Sequence, residues 1–174
     1  MESFTEKEIS VKTLPFIVET NFPGRWRETE ACLATAATLL LEDNCNPTVL
    51  NLVGPASSSK TTVLSFFRGA PEIFYFTDKF TPKSFVSCYA NTKSENLSKI
   101  DLLPRVKHKV MVVPELAPIF RARNEDLLEN IAILTRVFDG EGLFVDSGTT
   151  GRRGYEGDYM LCWLGATTPI EHNA

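Results

Sequence analysis

Three apolar runs indicate the framework of the chain. They are residues 48–53, Val110–Val113 and residues 159–166, and polar residues follow each of them. A short continuous apolar run is typical of a strand buried on both faces, as in a parallel sheet. We therefore expect the three runs to be neighbouring parallel strands. Because ligands of such sheets bind outside the carboxyl ends of the strands, the polar residues there predict a site.

Apolar residues at three- and four-residue spacing predict two long helices. The first covers residues 26–41, in which small residues dominate, and the second covers residues 125–139. Asn124 is the expected N-cap of the second helix, and Gly140 is its expected stop. The apolar stripe predicted for this helix consists of Leu127, Leu128, Ile131, Leu134, Val137 and Phe138.

The remaining pattern predicts smaller elements. Residues 73–76 indicate a strand, residues 84–90 are compatible with a short helix or a strand, and residues 91–99 are polar and expected to be exposed. Residues 142–157 predict a β-hairpin with a glycine-rich tip. Together the elements predict an α/β fold, a three-layer sandwich with a mainly parallel sheet.

Length and composition are those of a single globular domain. The chain has 174 residues, of which 43% are hydrophobic and 23% are charged, so we expect a core at residues 26–174 after a weakly patterned lead-in at residues 1–25. The net charge of −4 argues against a surface that coats nucleic acid, although it permits a local basic patch. The chain has no apolar run of membrane-spanning length, which predicts no membrane partner. Four scattered cysteines disfavour a zinc site and predict a cytoplasmic location: Cys32, Cys45, Cys88 and Cys162.

Residues 54–62 have the pattern of a phosphate-binding loop, and we call them the phosphate loop. A glycine lets the chain leave the first strand sharply, and the following backbone N–H groups can then point at an anion. The lysine can reach β- and γ-phosphate oxygens, and the first threonine hydroxyl can bind Mg²⁺. The pattern therefore predicts ATP with Mg²⁺, bound by Gly54, Pro55, Ala56, Ser57, Ser58, Ser59, Lys60, Thr61 and Thr62.

The phosphate loop departs from the motif G-x-x-x-x-G-K-[ST] at Ser59, which replaces the second glycine. A serine can adopt a right-handed conformation at this point, and its Cβ then lies closer to the phosphates. The alternative is a serine-rich turn that ends in Lys-Thr by coincidence. The strand before the loop and the helix after it favour the phosphate-binding interpretation.

Glu115 follows the second buried strand and is a candidate for orienting the attacking water. Many ATPases carry two acids here, but Pro114 occupies the first position. Either Mg²⁺ relies on Thr61 and phosphate oxygens, or another acid such as Asp78 substitutes, or hydrolysis is weak. The alternative for Glu115 is a strand-end carboxylate without a chemical role.

Two further pairs of residues are candidates for function. Thr167 and Thr168 end the last strand, where a hydroxyl can bind the γ-phosphate or the lytic water, or simply form a turn. Arg152 and Arg153 lie near the hairpin tip, where we expect an exposed, mobile segment that contacts nucleic acid or the nucleotide of a neighbouring subunit. Solvated turn arginines are the alternative.

In their order along the chain, these stretches resemble the AAA+ ATPases over about residues 26–170. Residues 54–61 match Walker A, residues 110–115 match Walker B, and Thr167 or Thr168 stands at the sensor 1 position. The hairpin resembles the pre-sensor 1 hairpin of minichromosome-maintenance and superfamily 3 helicases. The former also lack the second Walker A glycine.

The resemblance implies a parallel sheet in the order 5-1-4-3-2, ATP with Mg²⁺, and assembly of copies into rings. It suggests an ATP-hydrolysing motor of helicase or primase-helicase type that acts on DNA, in replication of a phage, plasmid or mobile element. The alternative is a nucleotide-dependent switch or assembly module with little hydrolysis, and a small-molecule kinase is less favoured. The sequence has no room for the fifth strand or the lid, so we expect a fragment, or a domain that borrows those parts, with its first strand at a sheet edge.

Overall fold

A computed structural model describes residues 11–41, 46–87, 94–148 and 151–169, with the backbone alone described at residues 94–96. Two sheets are present in this part of the chain, one of four parallel strands and one antiparallel hairpin. The strands are β1 (Val49–Val53), β2 (Phe74–Phe76), β3 (Val110–Val113), β4 (Gly142–Ser147), β5 (Gly151–Glu156) and β6 (Cys162–Thr167).

Helices connect and cover the parallel sheet. The α-helices are α1 (Leu14–Asn21), α2 (Trp26–Ala37), α3 (Lys60–Ser65), α4 (Ser94–Ile100), α5 (Leu102–Val106), α6 (Ala117–Phe120) and α7 (Asn124–Val137). Short 3-10 turns occur at Val11–Thr13, Thr38–Leu40, Phe66–Gly69 and Pro82–Ser84. Among the described residues, no helix is long and apolar enough to cross a membrane.

The parallel sheet has the order β1-β6-β3-β2. Val53 of β1 lies beside Thr167 of β6, and Val113 of β3 lies beside Gly165 of β6. The expectation that the three apolar runs form adjacent parallel strands is therefore confirmed. Within the described residues, β1 is an edge strand, as expected. When the four parallel strands alone are numbered along the chain, their order is 1-4-3-2.

Alternate residues of the two central strands pack into separate cores. Met111 and Val113 of β3 pack with α5, α6, α7 and the β4–β5 hairpin, whereas Val110 and Val112 pack with α2 and α3. Strand β6 alternates in the same way, with Trp163 facing the first core and Leu164 the second. Because both faces of these strands are covered, every residue of β3 and β6 is buried, which explains their continuous apolar sequences.

Strand β1 is covered on one face only. Its residues alternate between exposed and half-buried positions, and the exposed ones include Val49 and Val53. The half-buried Leu50 and Leu52 pack against the core under α2 and α3. The α/β fold is thus three-layered over β3 and β6 but open over β1.

The structure corrects several details of the predicted helices. Residues 26–41 form α2 and a 3-10 turn that ends at Leu40. Helix α7 begins at Asn124, so this residue is the first of the helix and Arg123 takes the N-cap position. Leu128 and Ile131 are exposed, so only part of the predicted stripe faces the core.

Four short helices were missed, because none shows a sustained apolar period. Helix α1 lies in the predicted lead-in, α4 and α5 lie in or just after the segment predicted as polar and exposed, and α6 begins two residues after Glu115. Between residues 82 and 87 the chain forms the Pro82–Ser84 turn rather than a helix or strand, and residues 88–93 lie outside the described part.

Gly165 of β6 lies where the parallel sheet has no space for a side chain. A Cβ added there would lie 2.3 Å from Asn51 Oδ1, 2.4 Å from Leu116 Cδ1 and 2.7 Å from Trp163 Nε1. The Trp163 indole N–H donates to Asn51 Oδ1 at 3.1 Å. This hydrogen bond passes through the space that a side chain at Gly165 would occupy. The glycine therefore lets β1, β6 and the chain after β3 approach one another.

We expect Gly165→Ala to lower the free energy of unfolding by about 2 kcal/mol or more, because three neighbours must move to admit the methyl group. Urea unfolding followed by circular dichroism measures the change. Gly69→Ala is the matched control, since a Cβ at Gly69 meets nothing within 4 Å. Its stability should be unchanged or higher by up to about 1 kcal/mol. Equal stability of the two variants would show that the packing around Gly165 is not rigid.

Candidate functional site

The phosphate loop joins the carboxyl end of β1 to α3. Strand β1 ends at Val53, and α3 begins at Lys60 and continues into the 3-10 turn that ends at Gly69. The backbone N–H of Gly54 donates to the Thr167 carbonyl at 3.3 Å, which fixes the start of the loop to the end of β6. The strand, loop and helix are therefore arranged as the sequence predicted.

Two serines give the loop its shape. Ser57 and Ser59 have φ of 62° and 63°, so both are left-handed. Ser59 does not adopt the right-handed conformation that a serine permits here, and this position keeps the left-handed conformation that a glycine would favour. Left-handed residues within a turn make backbone N–H groups converge on one side. Ala56 and Ser57 lie in a hydrogen-bonded turn.

The ammonium group of Lys60 is folded back onto the loop. Its Nζ donates to the carbonyls of Gly54 at 2.8 Å and Pro55 at 2.7 Å, and to the Ser58 hydroxyl at 3.0 Å. These acceptors hold the positive charge over the concave side of the loop. A phosphate that binds there must compete with them for the lysine protons.

The cavity of the loop is small and polar. It measures about 240 Å³ and is lined by Ser57, Ser58, Ser59, Lys60, Thr61 and Thr62. This volume suits a phosphate chain better than a whole nucleoside. The exposed Thr61 directly follows Lys60 and offers a hydroxyl for Mg²⁺. No group of three metal-ligating side chains occurs in the described residues, so a cation here would need phosphate oxygens as ligands.

Glu115 and Lys60 both lie on the side of the sheet where the parallel strands have their carboxyl ends. Strand β6 separates β1, which leads into the phosphate loop, from β3, which leads to Glu115, so these two strands are about 10 Å apart, twice the strand spacing. The Glu115 side chain is exposed, and its Oε1 accepts the N–H of Ala117 at 2.9 Å in the first turn of α6. The carboxylate is therefore bound to its own chain, and a catalytic position requires that this bond opens.

Asp78 follows β2 at the far edge of the sheet. Strands β3 and β6 lie between β2 and β1, and the Asp78 carboxylate is exposed and pairs with Arg68 at 3.7 Å. The Arg68 guanidinium also lies 4.5 Å from the centre of the Phe76 ring. The strand order does not bring Asp78 beside the phosphate loop.

Thr167 is the strand-end hydroxyl that adjoins the phosphate loop. Its carbonyl accepts the Gly54 N–H, and its side chain is buried. The Thr167 hydroxyl donates to the carbonyl of Thr168 at 2.9 Å, and Thr168 itself is half-buried. Of the two threonines, Thr167 is the one in direct contact with the loop.

The two hairpin arginines face opposite ways, because neighbouring residues of a strand alternate. Arg152 is exposed, and its guanidinium lies 4.2 Å from the centre of the Phe144 ring. The Arg153 side chain is only 11% exposed and pairs with the buried Asp101. The expectation that both arginines lie on an exposed tip is wrong for Arg153, since the ordered strand β5 turns it inward.

Asp101 is the centre of a polar cluster that the sequence did not predict. Its Oδ1 accepts from the Ser87 N–H at 2.9 Å and the Ser87 hydroxyl at 2.5 Å. Its Oδ2 accepts from the Tyr155 hydroxyl at 2.8 Å and Arg153 Nη2 at 3.4 Å. Burial, together with the hydrogen bond to Asp101, raises the pKa of Tyr155, so this hydroxyl remains a donor. We call these four residues the Asp101 cluster.

The described cysteines do not form a reactive site. Cys32 and Cys162 are free thiols and are buried. Burial, with a smaller effect of the Glu28 charge, raises the pKa of Cys32 to about 12, so the thiol stays protonated. Cys45 and Cys88 lie outside the described residues.

Comparison of the chain with protein-family models and with curated proteins gave no match.

We expect Ser59→Gly to raise the free energy of unfolding by about 0.5–1 kcal/mol. Left-handed backbone costs a serine about 1–2 kcal/mol, and the greater freedom of an unfolded glycine offsets part of the gain. Ser65→Gly is the control, because Ser65 lies in the right-handed α3, and it should lower stability by about 0.5 kcal/mol. Thermal unfolding of both variants checks the opposite signs. A loss of stability in both would contradict the left-handed conformation of Ser59.

Proposed function

We propose that this chain is the ATP-binding and ATP-hydrolysing P-loop domain of a helicase-like or primase-helicase-like motor. The observation that carries the proposal is the phosphate loop itself, in which two left-handed serines and Lys60 follow the carboxyl end of β1 and precede α3. Strand order supports it, because Thr167 and Glu115 end the next two strands along the same edge. The order 1-4-3-2 of the parallel strands agrees with an AAA+ sheet that lacks its outer strand.

Each residue has a distinct role in this proposal. The loop N–H groups and Lys60 hold the β- and γ-phosphates and stabilise charge as the phosphoryl group transfers to water. The Thr61 hydroxyl binds Mg²⁺, which when bound neutralises phosphate charge. Glu115, released from Ala117, accepts a proton from the attacking water, and Thr167 or Thr168 positions that water or the γ-phosphate. In rings of copies, an arginine from the neighbouring subunit completes the site.

The second candidate function is a nucleotide-dependent switch or assembly module with little hydrolysis. Two observations favour it. Pro114 stands where a first acidic residue would bind the Mg²⁺ hydration shell, and the Glu115 carboxylate is engaged by the Ala117 N–H. Steady-state ATP hydrolysis with and without single-stranded DNA separates the two functions, since a motor should be stimulated by DNA and a switch should not.

We expect Lys60→Ala to weaken ATP binding by at least about a hundredfold, because the variant loses a charged donor to the phosphates. Titration with a fluorescent ATP analogue measures the affinity. Lys107→Ala is the matched control. It removes an exposed lysine that precedes β3, at the opposite edge of the sheet. Unchanged affinity of Lys60→Ala would refute the nucleotide site.

We expect Glu115→Gln to keep ATP affinity within about twofold and to lower turnover by at least about a hundredfold, the usual effect of removing a positioned base. The glutamine oxygen can still accept the Ala117 N–H, so the start of α6 should be preserved. Single-turnover hydrolysis with saturating ATP measures the chemical step. Wild-type turnover in this variant would leave Glu115 without a catalytic role.

A further inference from the structure

Strand β1 has a free edge. In the described part of the chain, no strand pairs with the side of β1 that faces away from β6. The Thr48 carbonyl and the Gly54 N–H both bond to β6, and the even-numbered residues between them do the same in the parallel register. Because alternate residues of a strand bond to opposite sides, residues 49, 51 and 53 direct their N–H and C=O groups to the free edge.

This edge lacks the features that usually prevent a strand from pairing with another chain. Exposed edges are commonly protected by charged side chains, bulges or prolines within the strand. Residues 44–59 contain no charged residue, and β1 itself contains no proline. On its open face, Val49 is 42% and Val53 is 63% exposed. The edge therefore favours pairing with a further strand.

The sequence of this segment reads almost the same in both directions. Residues 47–55 are P-T-V-L-N-L-V-G-P, a palindrome about Asn51 with one mismatch, at positions 48 and 54. Antiparallel pairing of two copies about Asn51 places Val49 opposite Val53 of the second copy. On the other face, it places Leu50 opposite Leu52 in the same way. Identical side chains then meet on each face, as a two-fold interface requires.

We propose that β1 pairs with β1 of a second copy of this chain, antiparallel and centred on Asn51, so that the two parallel sheets join across a two-fold axis. The backbone fits this register, because residues 49, 51 and 53 lie opposite one another and all point to the edge. Residues opposed in this way exchange both of their N–H···O bonds. Pro47 then lies opposite Pro55 of the second copy, and since proline has no N–H, the pairing ends there on both sides.

Asn51 selects this register at the two-fold axis. Its Oδ1 accepts from Trp163 Nε1 at 3.1 Å, which fixes the side-chain amide on the open face of β1. The Cα atoms of two opposed residues of this kind lie about 5.5 Å apart, so each Asn51 amide N–H can donate to the Oδ1 of the other copy. The next register that keeps the backbone bonds places each amide opposite a valine, which gives it no such partner.

This interface is separate from the contact between subunits of a ring. A ring joins two different surfaces of neighbouring copies, whereas the β1 pairing joins one surface to itself. It also involves neither Lys60 nor a nucleotide. The dimer is therefore expected without ATP and in the Lys60→Ala variant, and the failure of either proposal leaves the other intact.

Sedimentation velocity of the full chain without nucleotide should show a dimer fraction that rises with protein concentration. Val49→Lys combined with Val53→Lys should weaken dimerisation at least about tenfold, because like charges then lie opposite each other. Ile73→Lys is the matched control, since Ile73 is 45% exposed and precedes β2 at the other edge of the sheet. A wild-type chain that stays monomeric at every concentration would overturn the proposal, and so would a folded double-lysine variant that dimerises as the control does.

A charge exchange tests the register. Val49→Lys combined with Val53→Glu should dimerise at least about fivefold more tightly than the double-lysine variant, because each lysine then lies opposite a glutamate of the second copy. Within one chain these two positions are about 13 Å apart, too far to form an ion pair. Equal dimerisation of the two charged variants would refute the antiparallel register.

Hydrogen exchange of the wild-type chain tests the proposal without any substitution. The amides of Leu50 and Leu52 bond to β6 and should be protected at every protein concentration. Those of Asn51 and Val53 should exchange rapidly in the dilute monomer and become protected as the dimer forms. Rapid exchange of these two amides at high concentration would overturn the proposal. Protection of both in the dilute monomer would assign the edge to a segment of the same chain and would also overturn it.

Discussion

The structure depends on β6 being held between β1 and β3. This strand is buried over its whole length, so its backbone N–H and C=O groups must be satisfied by the two neighbouring strands. The resulting pairing also aligns three strand ends at one edge. Gly54 is bound to the Thr167 carbonyl, and Leu116 donates to the Ala166 carbonyl at 2.9 Å. The position of every candidate residue at the phosphate loop follows from these backbone bonds.

The sequence was most informative where burial permits only apolar residues. A strand covered on both faces must be apolar throughout, so Val110–Val113 and the run before Thr167 were recognisable, and so was their parallel pairing. The strand before residues 54–62 and the helix after them were also predicted from the sequence, and the structure has both. The detailed conformation of the loop between them could not be predicted, because a serine is permitted in both backbone regions and the fold imposes the left-handed one at Ser59.

Contacts between residues distant in the chain could not be predicted. Asp101 and Tyr155 are 54 positions apart, and neither residue has a local pattern that indicates the other. The inward orientation of one hairpin arginine could have been predicted, because neighbouring residues of a strand face opposite sides, and Arg152 and Arg153 are neighbours. The orientation of Glu115 towards Ala117 depends on the turn into α6, which only the structure reveals.

The pairing of β1 with β6 also governs when the site can form during protein synthesis. Asn51 and Trp163, joined across these strands, are 112 positions apart. At about 5–20 residues per second, a ribosome needs roughly 6–22 s to make the intervening chain. Throughout that time β1 has been synthesised but lacks its partner strand, and the Gly54–Thr167 bond cannot exist. Residues 54–62 are therefore synthesised early but gain their bond to Thr167 late, after β6 has left the ribosome.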